Sequence, residues 1–247
     1  MSEDYRVPKR SDREIRDEAN RTKQAYKVAN RRPVNIVRCL QLGWIPTRYG
    51  RKKLVYDIVS DLEMDGKDGR TDFARDEVII SVKRSVHEKA GWGDGRSRMT
   101  LAHELGHGVM HWGAEMFRRS GAVGPTSLSK NHAAESAEHQ AKIFAPAFLI
   151  HDEVAATLTS PVEISTEFIV SMEAATICFL RLAEEAERAL SAERVRQSND
   201  AFQAAMRAPG KLPNFTGDFC GVCGHATLIP VGVKFLCLTC REVSDQT

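Results

Sequence analysis

Between Thr100 and His111 the polar and apolar residues separate at about 100° per residue, the angular step of an α-helix. Thr100, His103, Glu104, His107 and His111 share one sector, and Leu101, Ala102, Leu105 and Val109 lie opposite. That segregation predicts a helix with one face for packing and one for chemistry. Upstream, Ser11-Asp-Arg-Glu14 is a capping-box sequence, and the helix it opens is expected to reach about Asn30. Pro33 suits the first turn of a second helix, Val34 to Leu42, stopped by Gly43. The period then shortens. Trp44 to Tyr49 and Leu54 to Val59 read as short strands joined by a Gly-containing turn, and a loop rich in Asp and Gly follows. Glu77 to Val82 is the clearest strand, β-branched and partly alternating. A stretch punctuated by Gly91, Gly93 and Gly95 leads from it to the patterned helix and reads as a mobile rim. From Glu163 the chain is helical again, with Ser171 as an N-cap and Pro209-Gly210 as the stop.

Composition adds limits. The chain has 247 residues, 42% hydrophobic and 28% charged, enough for one sizeable core and a small appendage. No apolar run approaches the roughly 18 residues that a membrane helix needs. The first twenty residues are charged where a signal peptide would be apolar, so no membrane association and a cytoplasmic location are expected. The net charge of +2 conceals an asymmetry, because residues 1–53 carry 15 Lys and Arg against 6 Asp and Glu. Such a front meets nucleic acid or an acidic partner, or is simply a solvated helix face; interspersed acidic residues favour the latter.

The patterned helix carries His103-Glu104-Leu-Gly-His107. Two histidines four apart stand one turn above each other, so their ring nitrogens can converge on one metal ion. A carboxylate between them can accept a proton from metal-bound water, whose pKa falls to about 7 on a catalytic zinc. The residues therefore point to a zinc hydrolase with His103 and His107 as ligands and Glu104 as the base. A catalytic zinc needs a third protein ligand. His111 lies two turns from His103, out of reach along one straight helix, and the metzincin pattern would place a histidine where Gly113 stands.

Arg98-Met-Thr-Leu-Ala-His-Glu-Leu-Gly-His107 with His111 following, and Glu138-x-x-Ala141-x-x-Phe144-Ala145, resemble the zincin-like core of the ImmA/IrrE family of metallopeptidases over about residues 30–150. The resemblance implies an α+β fold: a metallopeptidase core with a short antiparallel or mixed sheet, then a helical, helix-turn-helix-like segment. It also implies Glu138 as third zinc ligand, in competition with Glu135, His132 and His139. Ala134, Ala141 and Ala145 fall on the same side of a helix as Glu138, a small-residue stripe that admits a close neighbour. In such folds a sheet edge beside the metal helix pairs with extended substrate, and Glu77 to Val82 is the candidate. Three positions depart from the family. Lys142 stands where Asn or Asp often orients a ligating histidine, Pro146 is expected to interrupt its helix, and His151 replaces a closing proline.

Cys220-Gly-Val-Cys223 and Cys237-Leu-Thr-Cys240, with a β-type run between them, form a zinc-ribbon pattern. Four thiolates leave no position for water, so this zinc is structural. Cys39 and Cys178 stand alone in apolar patterns and read as small buried hydrophobes. The expected organisation is a metallopeptidase domain over 1–155, a helical segment over 156–210 and a ribbon over 211–247.

Two functional readings follow. In the first, the chain is a zinc endopeptidase; the family resemblance implies a helix-turn-helix repressor as protein substrate and a role in transcription regulation tied to stress or a mobile element. In the second, the core is a non-catalytic scaffold, and the basic N-terminus or the ribbon binds DNA or a protein partner. An intact Glu104 favours the first, since a scaffold has no chemical use for it.

Overall fold

The computed structural model describes residues 5–113, 117–118, 133–207 and 214–245; His132, Pro209, Gly210 and Pro213 lie outside them. Near the N-terminus, β1 (Tyr5–Arg6) is followed by α1 (Asp12–Ala25). The capping box forms as the sequence predicts: the Ser11 hydroxyl accepts from the Glu14 N–H, and the Glu14 carboxylate accepts from the Ser11 N–H at 2.7 Å. The helix ends at Ala25, short of Asn30, and Lys27 turns the chain away with a φ of 57°. Helix α2 is also shorter than the pattern predicts, Ile36–Leu40. Asn35 caps it by accepting from the Arg38 N–H at 3.0 Å, so Pro33 lies ahead of the helix and not in its first turn.

A four-stranded mixed sheet follows, built from β2 (Trp44–Thr47), β3 (Gly50–Val59), β4 (Gly69–Phe73) and β5 (Glu77–Lys83) in the order β2-β3-β5-β4. Only the β3–β5 pair is parallel. This order corrects two expectations. The loop rich in Asp and Gly contains a strand, β4, and the edge beside the patterned helix is that strand and not Glu77 to Val82. Val78, Ile80 and Val82 are fully buried, which is why β5 reads so clearly from sequence: its β-branched residues serve a central strand. Gly-Arg-Thr-Asp-Phe is polar because an edge strand remains partly wet.

After β5 the chain goes directly into α3 (Arg84–Gly91), turns through Trp92 and Gly93, and enters α4 (Gly95–His111) capped by the Asp94 side chain. Of the glycine-punctuated rim, Gly91 and Trp92 are exposed, while Gly95 is tightly packed. A Cβ on Gly95 would come within 2.5 Å of the Val170 carbonyl carbon. Helix α4 is the central element of the core, with Leu101, Ala102 and Leu105 fully buried. Two glycines fix how close its neighbours come. A Cβ on Gly108 would meet Ile45 at 2.6 Å on the sheet side, and one on Gly106 would meet Phe144 at 2.9 Å on the side of α5 (Ala137–Leu149). Pro146 lies inside α5, in its last turn, and the helix continues to Leu149.

Helices α6 (Asp152–Ala155), α7 (Pro161–Phe168) and α8 (Met172–Arg207) complete the helical part, with the Ser171 hydroxyl accepting from the Ala174 N–H at the start of α8. Arg98 of α4 is buried and donates to the carbonyls of Val34 and Ile169, both at 2.8 Å, tying two connections to the metal helix. Ahead of α5, the N-terminal segment runs along the 3₁₀ turn Ala133–Glu135: Val7 N–H donates to the Glu135 carbonyl at 2.8 Å and Arg10 N–H to that of Ala134 at 3.0 Å. The short β6 (Phe117–Arg118) pairs antiparallel with β1.

The chain divides into two compact units, Met1–Leu182 and Ala183–Thr247. The second contains the remainder of α8 and an antiparallel meander of β7 (Leu228–Val231), β8 (Lys234–Cys237) and β9 (Val243–Asp245). No helix among the described residues is long and apolar enough to cross a membrane.

Lys23 on α1 yields a prediction about stability. It is 4% exposed, its Nζ donates to the Ile150 carbonyl at 3.2 Å, and burial pulls its pKa from 10.5 down to about 8, with Asp152 and Glu153 opposing. The unfolded chain therefore holds this proton to a higher pH than the folded one, and between about pH 8 and 10.5 stability should rise as pH rises. Urea midpoints should show that rise. Lys23→Met should remove it and stabilise the fold near neutral pH by on the order of 2 kcal/mol.

Candidate metal centre and active site

Helices α4 and α5 bring three donors together. His103 and His107 stand one turn apart, their Nε2 atoms 3.1 Å from each other. The Glu138 carboxylate faces both, Oε2 at 3.4 Å from His103 Nε2 and Oε1 at 3.4 Å from His107 Nε2. Bonds of 2.0–2.2 Å at tetrahedral angles place zinc ligands about 3.4 Å apart, so the donor spacing fits such an ion. The imidazoles of His103, then His107, beside it hold the Glu138 carboxyl far below the ordinary range, and it is ionised at neutral pH. Of its competitors, the two within the described residues lie elsewhere. Glu135 pairs with Arg6 at 2.7 Å, and His139 Nε2 lies 3.7 Å from Asp12.

Glu104 is nearly buried and stands outside the group of three. Its Oε2 accepts from the Thr71 hydroxyl at 2.7 Å, and that hydroxyl oxygen is also 3.0 Å from the Glu104 carbonyl. A Cβ on Gly69 would lie 2.8 Å from Glu104 Cγ. Thus the edge strand β4 seats the carboxylate, through a hydroxyl at one position and the lack of a side chain two residues earlier. Sequence reading missed both residues. A Gly and a Thr two apart within a polar stretch carry no chemical signature until the strand is known to lie against α4. Thr71→Val keeps the shape and removes the donor. It should lower kcat/KM roughly tenfold, the value of a hydrogen bond to a charged group, with metal content unchanged by elemental analysis.

His111 is not part of the group of three. It is 1% exposed, and burial, with the neighbouring His107, lowers its pKa to about 3, so the ring is neutral. Its Nδ1 lies 3.1 Å from His107 Nδ1 and its Nε2 3.2 Å from Gln140 Oε1. Lys142, the departure noted in the sequence, is exposed and lines the cleft that opens beside His103 and Glu138. That cleft has a volume of about 840 Å³ and apolar walls from Met99, Ile143, Pro146 and Ile177.

In the second unit the four cysteine sulfurs also converge. Cys220 and Cys240 are 3.6 Å apart and Cys223 and Cys237 3.4 Å, all four within 4.8 Å of one another, and none is in a disulfide. Sulfurs around zinc sit about 3.8 Å apart, so this cluster fits that ion too. The two Cys-x-x-Cys turns share one backbone device: Gly224 N–H donates to the Cys220 carbonyl and Arg241 N–H to the Cys237 carbonyl, both at 2.8 Å, from left-handed residues. The Thr227 side chain and then the Cys240 backbone hold the Cys237 thiol below its ordinary pKa, which favours the thiolate that a metal takes as ligand.

An α+β core in which two helices join His, His and Glu beside the edge strand of a mixed sheet is a metallopeptidase core. Residues 59–179, just under half of the chain, match the family model Peptidase_M78, described as the IrrE N-terminal-like domain, which supports the resemblance to the ImmA/IrrE family. No curated protein and no solved structure matches the chain.

Proposed function

We propose that the chain is a zinc-dependent endopeptidase acting on a helix-turn-helix repressor. The observation that carries the chemistry is the spacing of His103, His107 and Glu138, with Glu104 held outside that set by Thr71. Zinc bound there would supply Lewis acidity to a water and to the scissile carbonyl. Glu104 is the group that would hold the proton of the attacking water and deliver it to the leaving amine. The edge strand β4 offers backbone groups to an extended substrate segment, and the adjoining cleft accepts apolar side chains. The four-cysteine cluster holds a second, structural zinc, giving two ions per chain.

Nucleic acid as the partner of the basic N-terminal region is less well supported. Arg21 pairs with Glu18 at 2.7 Å and Arg32 with Glu167 at 3.7 Å, so part of that charge is met within the chain. The test is to incubate the full, zinc-replete chain with a purified helix-turn-helix repressor and read intact masses. Two complementary fragments are expected, and a zinc chelator should abolish them. An uncut panel of such repressors would overturn the substrate assignment, and failure to cut any unfolded protein would overturn the peptidase reading.

A further inference from the structure

The proposed function leaves open how a ligating histidine presents the correct nitrogen. A neutral imidazole carries one N–H, and the metal needs the other nitrogen's lone pair. Gln140 is fully buried, and its Nε2 donates to two backbone carbonyls, of Pro8 at 2.9 Å and Ala134 at 2.7 Å. Carbonyls only accept, so the amide orientation is fixed and Oε1 is the atom that faces His111 Nε2 at 3.2 Å. An amide oxygen only accepts, so His111 Nε2 carries the hydrogen. Its Nδ1 then has a lone pair, and it faces His107 Nδ1 at 3.1 Å. That nitrogen must donate, leaving His107 Nε2 with its lone pair directed at His103 Nε2 and Glu138.

Resting on the metal reading, we propose that Gln140 and His111 are positioning residues that set the tautomer of His107, making its Nε2 a ligand before any metal arrives. The device occupies the role expected of the residue at position 142, but it acts from the next turn of α4 and the inner face of α5. Both ends are secured: one on His107, the other on the backbone of the N-terminal segment and the 3₁₀ turn.

The experiment is nitrogen-15 histidine NMR on the full chain with its catalytic site freed of metal, His107 being assigned with His107→Gln, together with zinc competition against a chromophoric chelator. In the wild type, His107 should be protonated at Nδ1 and His111 at Nε2. Gln140→Met removes the acceptor; it should give mixed tautomers at His107 and weaken zinc at this site about 10- to 100-fold. Gln140→Glu keeps an acceptor for His111 while losing the donors to Pro8 and Ala134. It should retain the tautomer and bind zinc more tightly than Gln140→Met. A merely structural role would instead leave the His107 tautomer unchanged in both variants. Wild-type protein with the hydrogen on His107 Nε2 overturns the relay without any variant having to fold. Wild-type protein with the expected tautomer but no metal at this site overturns the underlying metal reading instead.

Discussion

Glu104→Gln should give a folded protein with a full complement of metal and turnover reduced by about 10² to 10⁴, the range for loss of a general base. The substitution preserves volume, and the amide oxygen can still accept from the Thr71 hydroxyl that now lies 2.7 Å from Oε2. What disappears is a group able to hold a proton between water and leaving amine. Since Glu104 stands outside the His103, His107 and Glu138 set, metal content should not move. Glu138→Gln should behave in the opposite sense, weakening metal binding first and turnover as a result. Steady-state kinetics paired with elemental analysis separate the two. A Glu104→Gln protein that cleaves at the wild-type rate with metal in place would remove the peptidase reading and leave a scaffold.

Cys237→Ser should unfold the ribbon while the first unit stays folded. The cluster formed by Cys220, Leu228 and Cys237 is the only apolar core in this part of the described chain, far too small to hold three strands. Structural zinc supplies on the order of 10–16 kcal/mol to small ribbons and fingers, and losing one thiolate forfeits most of it. Serine also has no thiolate for the Thr227 hydroxyl to stabilise at 3.4 Å. Trypsin followed by mass spectrometry should show rapid cutting after Lys234 and Arg241, with the region up to Leu182 protected, and metal analysis should show one zinc fewer. Equal protease resistance of variant and wild type would mean that the meander is held by something other than its cysteines.

The parts of this molecule that were legible in the sequence are those whose signal is local. The capping box at Ser11, the period of α4, the β-branched run of β5 and the two Cys-x-x-Cys turns each fit within one element. So do His103 and His107, since one helical turn is enough to place both rings. Glu138 was reached through family resemblance, because nothing between residues 107 and 138 specifies how α5 crosses α4. The misread parts depend on tertiary neighbours. Gly69–Phe73 looks like a loop because an edge strand is free to be polar, and the tight fit of Gly95 goes unseen because the segment at Val170 that it meets is distant in sequence. Thr71 and Gln140 have no chemical signature of their own. They acquire roles only once β4 lies along α4 and the N-terminal segment crosses the start of α5.

That crossing separates the window of detectable similarity from the unit that folds. The family match begins at residue 59, yet Ile15, Ala19, Val34, Ile36, Leu40 and Ile45, all upstream, are fully buried in the same core as α4. A fragment trimmed to the matched residues would lose a packing helix, a sheet edge and the Pro8 carbonyl that orients Gln140. Expression fragments of the first unit should therefore begin before Val7, whose N–H is bonded to the turn that leads into α5.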